Sequence, residues 1–209
     1  MHIDIIAVTY HQDIELKCFI NSVKCQNNPN WNLYIIHDGE DDYFHKIKKD
    51  LEDNGYLDDD KIIFDCKPRK ADNPWGHESR DYAMDKYIEA KEDHFLIHTN
   101  VDNYLTPQMV DLVIDGLQDL PKANFLYWDC VHSHDNYFLD PPGKYGHLRT
   151  ILQEAHIDMG CVAVKNTIAK DNGFKYNNKN ADWYYFSDIL QKLTDDSVYK
   201  LNKILYVHN

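Results

Sequence analysis

Short runs rich in β-branched residues alternate with amphipathic segments in the first half of the chain, and this alternation constrains the fold most strongly. The apolar runs are residues 3–9, 33–37, 61–65 and 95–98. The residues that recur at the spacing of one helical face are Leu16, Phe19, Ile20 and Val23, and then Phe44, Ile47 and Leu51. Strands that alternate with helices predict βαβ units. We therefore expect an α/β fold in which helices flank a mixed, mostly parallel central sheet.

The second half of the chain is less regular. Strands are expected at residues 125–131, 160–164 and 204–207, and a helix at residues 183–193. Thr106 and Pro107 have the residue types of an N-cap and a first helical position, so they predict the start of another helix. With no repeat or linker in 209 residues, one domain spanning residues 1–209 is expected.

The charge of the chain limits what it binds. Its formal net charge is −13, which argues against nucleic acid as a partner because phosphate backbones would be repelled. An anionic ligand would therefore need a cation between itself and the protein.

The cysteines and the apolar runs bear on location. Five cysteines without a CxxC pair favour reduced thiols in a cytosol-like compartment. No apolar run approaches the roughly 20 residues of a transmembrane segment, and the first residues do not have the pattern of a secretory signal. The expected location is cytoplasmic.

Polar residues follow three of the predicted strands. These segments are Thr9-Tyr10-His11, His37-Asp38-Gly39 and Asn100-Val101-Asp102-Asn103. Ligands of open α/β sheets bind beyond the carboxyl ends of the parallel strands. The simpler alternatives are a turn at Asp38-Gly39 and a helix cap at Asp102-Asn103. Three polar strand ends at one edge favour a binding site but do not name its substrate.

Several well-defined motifs are missing from the sequence. It contains no GxGxxG, no GxxxxGK[ST] and no GxSxG, so dinucleotide, P-loop and α/β-hydrolase sites are not indicated. Residues 132–135 (HSHD) raise the alternative of a zinc site, but without HExxH or paired CxxC they are more typical of polar surface.

Six segments match, in order and spacing, the motifs of a known enzyme family. They are residues 5–10 (IIAVTY), 31–39 (WNLYIIHDG), 76–83 (GHESRDYA), 95–107 (FLIHTNVDNYLTP), 159–174 (MGCVAV through DNGF) and 181–183 (ADW). Together they resemble the inverting, family-two-like glycosyltransferases of the GT-A fold over nearly the whole chain. Within that family the sequence is similar to virus-encoded members such as those of chlorella viruses, which implies a host cytoplasm as the location.

The resemblance implies a donor site in residues 1–105 and an acceptor site in residues 106–209. Thr9 and Tyr10 would line a base pocket, and Asp38 would accept a hydrogen bond from the N3–H of uracil. Arg80 would contact phosphate or orient the metal ligand, although an ordinary salt bridge is the alternative. Asn100 replaces the first acidic residue of the family's DxD motif, and its amide would still reach ribose and metal-bound water.

The remaining roles implied by the resemblance concern metal and acceptor. Asp102 would bind Mn²⁺ or Mg²⁺, which prefer carboxylate and phosphate oxygens, and His208 would join it, unless His208 belongs to a frayed end. Asp182 would be the general base, with a helix N-cap as its alternative. Trp183 and Asp158 would contact the acceptor.

The sequence therefore predicts a metal-dependent transferase that moves a hexose or deoxyhexose from a UDP-sugar to a carbohydrate hydroxyl. A sugar-nucleotide nucleotidyltransferase and a non-catalytic glycan- or nucleotide-binding module are the alternatives. His208-Asn209 ends the chain, so we also expect one domain of a longer protein.

Overall fold

A computed structural model describes residues 1–68, 76–132, 145–175, 178 and 180–209, and its first half alternates strands with helices as expected. The elements of this half are β1 (His2–Thr9), α1 (Asp13–Lys24), β2 (Trp31–Asp38), α2 (Asp42–Asp53), β3 (Ile62–Lys67), α3 (His77–Tyr87) and β4 (His94–Asn100). No helix is predicted at α3, because three of the residues that it buries are polar, namely His77, Ser79 and Arg80.

The second half contains shorter and less regular elements. They are β5 (Tyr104–Leu105), α4 (Met109–Asp119), β6 (Phe125–His132), β7 (Gly146–Leu148), β8 (Val162–Lys165), α5 (Asn166–Lys170), α6 (Ala181–Leu190) and β9 (Val198–His208), with 3-10 turns at Met159–Cys161 and Asp195–Ser197. Within the described residues, no helix is long and apolar enough to cross a membrane.

All of these strands join one mixed sheet, in the order β3-β2-β1-β4-β8-β6-β9-β5, with β7 beside β6. The first four run parallel to one another. β8 is antiparallel to both β4 and β6, β9 is parallel to β6, and β5 is antiparallel to β9. The α/β architecture with a mixed, mostly parallel sheet is thus confirmed.

The sheet is covered by helices on both faces, which explains the continuous apolar runs of its parallel strands. Ile3, Ile5 and Ala7 of β1 pack in the cluster formed with α1, α2 and α4. Ile6, the residue between two of them, packs in the cluster formed with α3, α5 and α6. Successive side chains of a strand point to opposite faces, so both faces of β1 need apolar residues.

Three predicted elements have different bounds in the structure. The strand expected at 160–164 begins only at Val162, because residues Met159–Cys161 form a 3-10 turn. The last strand extends over Val198–His208, well beyond 204–207. The helix expected at 183–193 is Ala181–Leu190. Of the HSHD segment, residues 133–135 lie outside the described part of the chain.

The predicted N-cap at Thr106 and helix start at Pro107 are wrong. α4 begins at Met109, and Thr106 instead continues the pairing of β5, since its N–H donates to the carbonyl of Leu205 at 3.1 Å. The cap comes from Gln26, just beyond the end of α1. Its Oε1 accepts the N–H of Val110 at 3.0 Å, and its Nε2 donates to the carbonyl of Thr106 at 2.8 Å. One buried amide therefore replaces the cap that the local sequence predicted.

We expect Gln26→Ala to lower the free energy of unfolding by about 1–3 kcal/mol, because it leaves the buried N–H of Val110 without an acceptor. Urea denaturation of the purified variant measures the change. Gln108→Ala is the matched control, since Gln108 occupies the N-cap position but makes no side-chain cap bond. It should change stability by less than about 0.5 kcal/mol. A larger loss in the control than in Gln26→Ala would contradict capping by Gln26.

Candidate active site

The carboxyl ends of β1, β2 and β4 border a cavity of about 190 Å³. The strand register brings these ends together, since Thr9 pairs with His37 on one side and Val8 pairs with Asn100 on the other. The residues that line the cavity are Val8, Thr9, Tyr10, Gln12, Asp38, Gly76, Asn100 and Asp102. Four of the five predicted donor-binding residues and one predicted metal ligand therefore lie along one cleft.

The β1 and β2 side of the cavity combines a buried hydroxyl, an exposed ring and a carboxylate. Thr9 is buried, and its Oγ1 has no hydrogen-bond partner within the described residues. Tyr10 is 39% exposed and stacks on His11 with ring centroids 4.0 Å apart. Asp38 accepts a long, 3.5 Å hydrogen bond from the hydroxyl of Ser79 in α3. This side offers both an aromatic face and a hydrogen-bond acceptor to a ligand.

Gly76 allows the start of α3 to approach the end of β1. It lies directly before α3 with a φ of +69°, a conformation that favours glycine. A Cβ at this position would lie 2.7 Å from Cγ1 of Val8. Any larger residue would push the start of α3 away from the cavity.

Asp102 has the properties of a metal ligand. Its Oδ1 is buried and has no hydrogen-bond partner within the described residues, while its Oδ2 accepts a 3.4 Å bond from Gln12. Burial raises the pKa of Asp102, and the nearby His208 acts in the opposite direction. An unpaired carboxylate oxygen at a cavity wall fits a hard divalent cation. The donor set therefore suits Mn²⁺ or Mg²⁺.

The end of β9 brings a second group of ionisable side chains to Asp102. Tyr104 of β5 pairs with Val207, and the N–H of Asn209 donates to Oδ1 of Asn103 at 3.0 Å. His208 is thus held in place rather than frayed. Its Nε2 lies 3.2 Å from Oδ2 of Asp158.

This contact changes the titration of both partners. Burial acts to raise the pKa of Asp158, but the hydrogen bond and charge of His208 outweigh it and lower that pKa. Burial acts to lower the pKa of His208, but Asp158 outweighs it and raises that pKa. At neutral pH the pair therefore favours a charged carboxylate.

Arg80 is a buried cation among these carboxylates. It is 2% exposed, and its Nη2 donates to Oδ1 of Asn100 at 2.5 Å and to the carbonyl of Thr99 at 3.4 Å. Burial lowers its pKa, while the charges of Asp182, Asp158 and Asp102 raise it. Arg80 thus holds the amide that replaces the first carboxylate of the expected metal motif.

Asp182 is the second residue of α6, so the expected alternative of an N-cap is wrong. The cap position belongs to Asn180. Burial raises the pKa of Asp182 to about 7, and the charge of Asp158 adds to this effect, whereas Arg80 and His208 oppose it. A carboxyl group that titrates near neutral pH is suited to proton transfer.

The remaining candidates occupy different places. Trp183 is partly exposed in the first turn of α6 and is not part of the described cavity lining. Gln12 and Tyr206 were not expected at the site. The Tyr206 hydroxyl lies 3.2 Å from that of Thr99. Nothing in the sequence pattern identifies either residue, because each contacts a partner about 100 positions away along the chain.

Gly160 sets the path of the backbone behind Asp158. The N–H of Gly160 donates to Oδ1 of Asp158 at 2.8 Å. A Cβ on Gly160 would lie only 2.2 Å from ring carbons of Tyr206. The tyrosine ring therefore packs directly on the backbone of this turn.

Asp65 of β3 fixes the helix that carries Arg80. Its Oδ2 accepts hydrogen bonds from Tyr82, Lys86 and Tyr87 of α3 at 2.9, 2.9 and 2.5 Å. Burial acts to raise the pKa of Asp65, but these bonds outweigh it and lower the pKa to about 2. A depressed pKa means that the ionised form stabilises the folded state.

The stabilisation by Asp65 should be complete above its ordinary pKa of 3.8 and should disappear as the pH falls through about 2. Wild type should therefore exceed Asp65→Asn in urea-unfolding stability at pH 6, and the difference should shrink steadily between pH 4 and pH 2. Asp60→Asn serves as the control at an exposed position. A difference that stays constant over this pH range would contradict the proposed anchoring.

Comparison with solved structures identifies the fold. The crystal structure of S. aureus TarS 1–349 in complex with UDP matches with a TM-score of 0.73 and 12% identity, over 99% of this chain and 60% of that chain. The same fragment in complex with UDP-GlcNAc matches with a TM-score of 0.70 and 13% identity, over 99% of this chain and 58% of that chain. The mannosyltransferase PcManGT from Pyrobaculum calidifontis, in complex with GDP-Man and Mn²⁺, matches with a TM-score of 0.69 and 12% identity. This match covers 99% of this chain and 56% of that chain.

The extent of these matches limits what they establish. The chain spans 37% of the longer TarS crystal structure. Neither a protein-family model nor a curated protein sequence matches it. At these identities the likeness concerns the fold, and the expected fold class is confirmed: the chain has the GT-A architecture of these glycosyltransferases.

Proposed function

We propose that this protein is an inverting glycosyltransferase that moves a hexose or deoxyhexose from a UDP-sugar to a carbohydrate hydroxyl and requires Mn²⁺ or Mg²⁺. The observation that carries the proposal is the unpartnered, buried Oδ1 of Asp102 at the wall of the strand-end cavity. Proteins of the same fold have been solved with UDP, with UDP-GlcNAc and with GDP-Man and Mn²⁺, which supports a sugar nucleotide as the ligand class.

Donor binding would use the β1 and β2 side of the cavity. Tyr10 would contribute an aromatic face to the base, and Thr9 a hydroxyl at the cavity floor. Asp38 would accept from the N3–H of uracil, the ring donor that this base offers. Cytosine carries no proton on N3, so Asp38 would discriminate against it.

Diphosphate binding would use the opposite side of the cavity. Asp102 and His208 would hold the cation, and Arg80 would keep Asn100 in position through the hydrogen bond to its amide oxygen. When bound, Mn²⁺ or Mg²⁺ would neutralise the charge of the leaving nucleoside diphosphate as a Lewis acid. This supplies the cation that a chain of net charge −13 needs toward an anionic ligand.

Proton transfer would be the role of Asp182. An inverting transfer requires a base that removes the proton of the acceptor hydroxyl while the leaving group departs from the opposite face of the sugar. With a pKa of about 7, a substantial fraction of Asp182 is ionised at neutral pH, and its carboxylate is basic enough to take up the proton of the acceptor. Asp158, which is held by Gly160 and His208, would line the acceptor pocket together with Trp183, as the family resemblance implies.

Titration of UDP by calorimetry, with and without Mn²⁺, tests the donor and metal assignment. Mn²⁺ should tighten UDP binding by about ten-fold or more, equivalent to about 1.4 kcal/mol. Asp102→Ala should remove this enhancement. CDP should bind more weakly than UDP, because the unprotonated N3 of cytosine would face the carboxylate of Asp38 with no proton to donate.

Asn100→Asp is the control for this titration. Its carboxylate still accepts from Arg80 and adds an oxygen ligand, so the effect of Mn²⁺ should persist. An undiminished Mn²⁺ effect in Asp102→Ala would refute the assignment of Asp102 as metal ligand. Tight UDP binding without release of UDP from any UDP-sugar would favour a nucleotide-binding module over an enzyme.

Asp182→Asn tests the base. The substitution keeps the shape of the side chain and removes the proton acceptor, so turnover should fall by roughly 10²–10⁴-fold. UDP affinity, the Mn²⁺ effect and the melting temperature should stay near wild type. Steady-state release of UDP from the best-bound UDP-sugar measures turnover.

Asp188→Asn, on the same helix but paired with the exposed Lys175, is the matched control and should retain wild-type turnover. If Asp182→Asn also retained it, Asp182 would not be the base, and Asp158 would be the next carboxylate to test.

A further inference from the structure

Three side chains with metal-binding atoms meet at the carboxyl ends of β1 and β2, where Asp41 lines a hollow together with Tyr10 and Asp38 of the cavity wall. They are His11 in the loop after β1, His37 near the end of β2, and Asp41 at the start of α2. One potential ligand atom from each lies within 4.8 Å of the others. We call this group the rim cluster.

His37 is prepared as a metal ligand by its own loop. Its Nδ1 lies 2.7 Å from the carbonyl oxygen of Gly39, so the proton resides on Nδ1 and the lone pair on Nε2. The residue is 1% exposed, and this Nε2 has no hydrogen-bond partner within the described residues. Histidines that bind metals commonly donate a hydrogen bond from their other ring N–H to a backbone carbonyl in this way.

Asp41 divides its two oxygens between the helix and the cluster. Its Oδ1 accepts the N–H of Phe44 at 2.8 Å and caps α2, while its Oδ2 lies 3.0 Å from Nε2 of His11. The capping bond fixes the carboxylate, so that Oδ2 stays directed toward the histidine. An ion at the rim cluster could therefore use Oδ2 without disturbing the start of α2.

His11 is held over the cluster at a cost in backbone strain. Its φ of 53° lies in the left-handed region, which is unfavourable for residues other than glycine. The ring packs between Tyr10 and Tyr43, with centroid distances of 4.0 and 4.3 Å. Strain of this kind persists where the surrounding contacts determine the conformation, and it is common at ligand sites.

We propose that His11, His37 and Asp41 form a binding site for a divalent transition metal ion such as Zn²⁺, separate from the site at Asp102. Two imidazoles and one carboxylate are a donor set that Zn²⁺ and Co²⁺ accept, whereas Mg²⁺ favours sites in which oxygen ligands predominate. The ion would occupy the lone pair of His37 and replace the hydrogen bond between the other two residues. It would also join the loops after β1 and β2, both of which border the cleft at Tyr10 and Asp38.

A second His/Asp group in the described chain shows why the rim cluster is different. His2, Asp4 and His94 also lie close together, at the opposite end of β1. The carboxylate of Asp4, however, already accepts hydrogen bonds from Asn32, His94 and Asn166 at 3.0, 3.0 and 2.6 Å. These bonds occupy three of the roughly four acceptor positions of a carboxylate and engage both of its oxygens, so we assign the group a structural role.

Co²⁺, whose visible absorption reports its ligands, is the probe for the rim cluster. The parent protein for the titration is Asp102→Ala, which removes the other cation site. It should bind one equivalent of Co²⁺ with the absorption of a four- or five-coordinate ion, and Zn²⁺ should displace it. Adding His11→Ala or Asp41→Asn should weaken Co²⁺ binding by at least about ten-fold. Asparagine caps helices as well as aspartate, so the second variant preserves α2.

Two further variants in the same background are controls. His45→Ala removes a neighbouring exposed histidine, and His94→Gln disrupts the other His/Asp group; both should bind Co²⁺ like the parent. The proposal is overturned if the parent binds no Co²⁺, or if His11→Ala and Asp41→Asn bind it as tightly as the parent does. Either failure would leave the role of Asp102 untouched, because the UDP titration measures that role separately.

Discussion

The pairing of the two-residue strand β5 with the end of β9 is the contact on which the candidate site depends. Asp102 lies just before β5, and His208 is the last residue of β9. Two ladder pairs and the bond from Asn209 to Asn103 hold these segments side by side. The parallel half of the sheet forms the cavity. The contact between β5 and β9 adds ionisable side chains from the C-terminal part of the chain to it.

The site concentrates negative charge around one buried cation. Asp102, Asp158 and Asp182 all act on the guanidinium of Arg80, which has almost no contact with solvent. A buried arginine without such carboxylates would be costly, and the carboxylates without the arginine would repel one another. The carboxylates therefore stabilise the buried guanidinium, and the guanidinium reduces the repulsion between the carboxylates. Burial nevertheless raises the pKa of both Asp102 and Asp182, although the charge of Arg80 opposes this rise at Asp182.

The sequence predicted the elements that are buried on both faces and missed those whose role depends on distant contacts. The first four strands were found within a few residues because their apolar runs are continuous. β9 was predicted too short because Asn202 and Lys203 are polar and exposed, and they interrupt the apolar pattern before residue 204. Strand ends alone grouped Thr9, Asp38, Asn100 and Asp102, whereas Arg80 and Asp182 emerged only from the family resemblance. The cap by Gln26 could not be predicted, because its partner Val110 lies 84 positions away.

Gly160 has a consequence for how this protein can vary. Its backbone lies against the ring of Tyr206, so even a methyl group at residue 160 has no room unless that ring moves. The ring in turn reaches Thr99 of β4, and the same turn carries Asp158. A substitution at Gly160 would therefore disturb the packing of Tyr206, the contact of Tyr206 with β4 and the position of Asp158. Position 160 should therefore tolerate substitution poorly, although it contributes no side chain of its own.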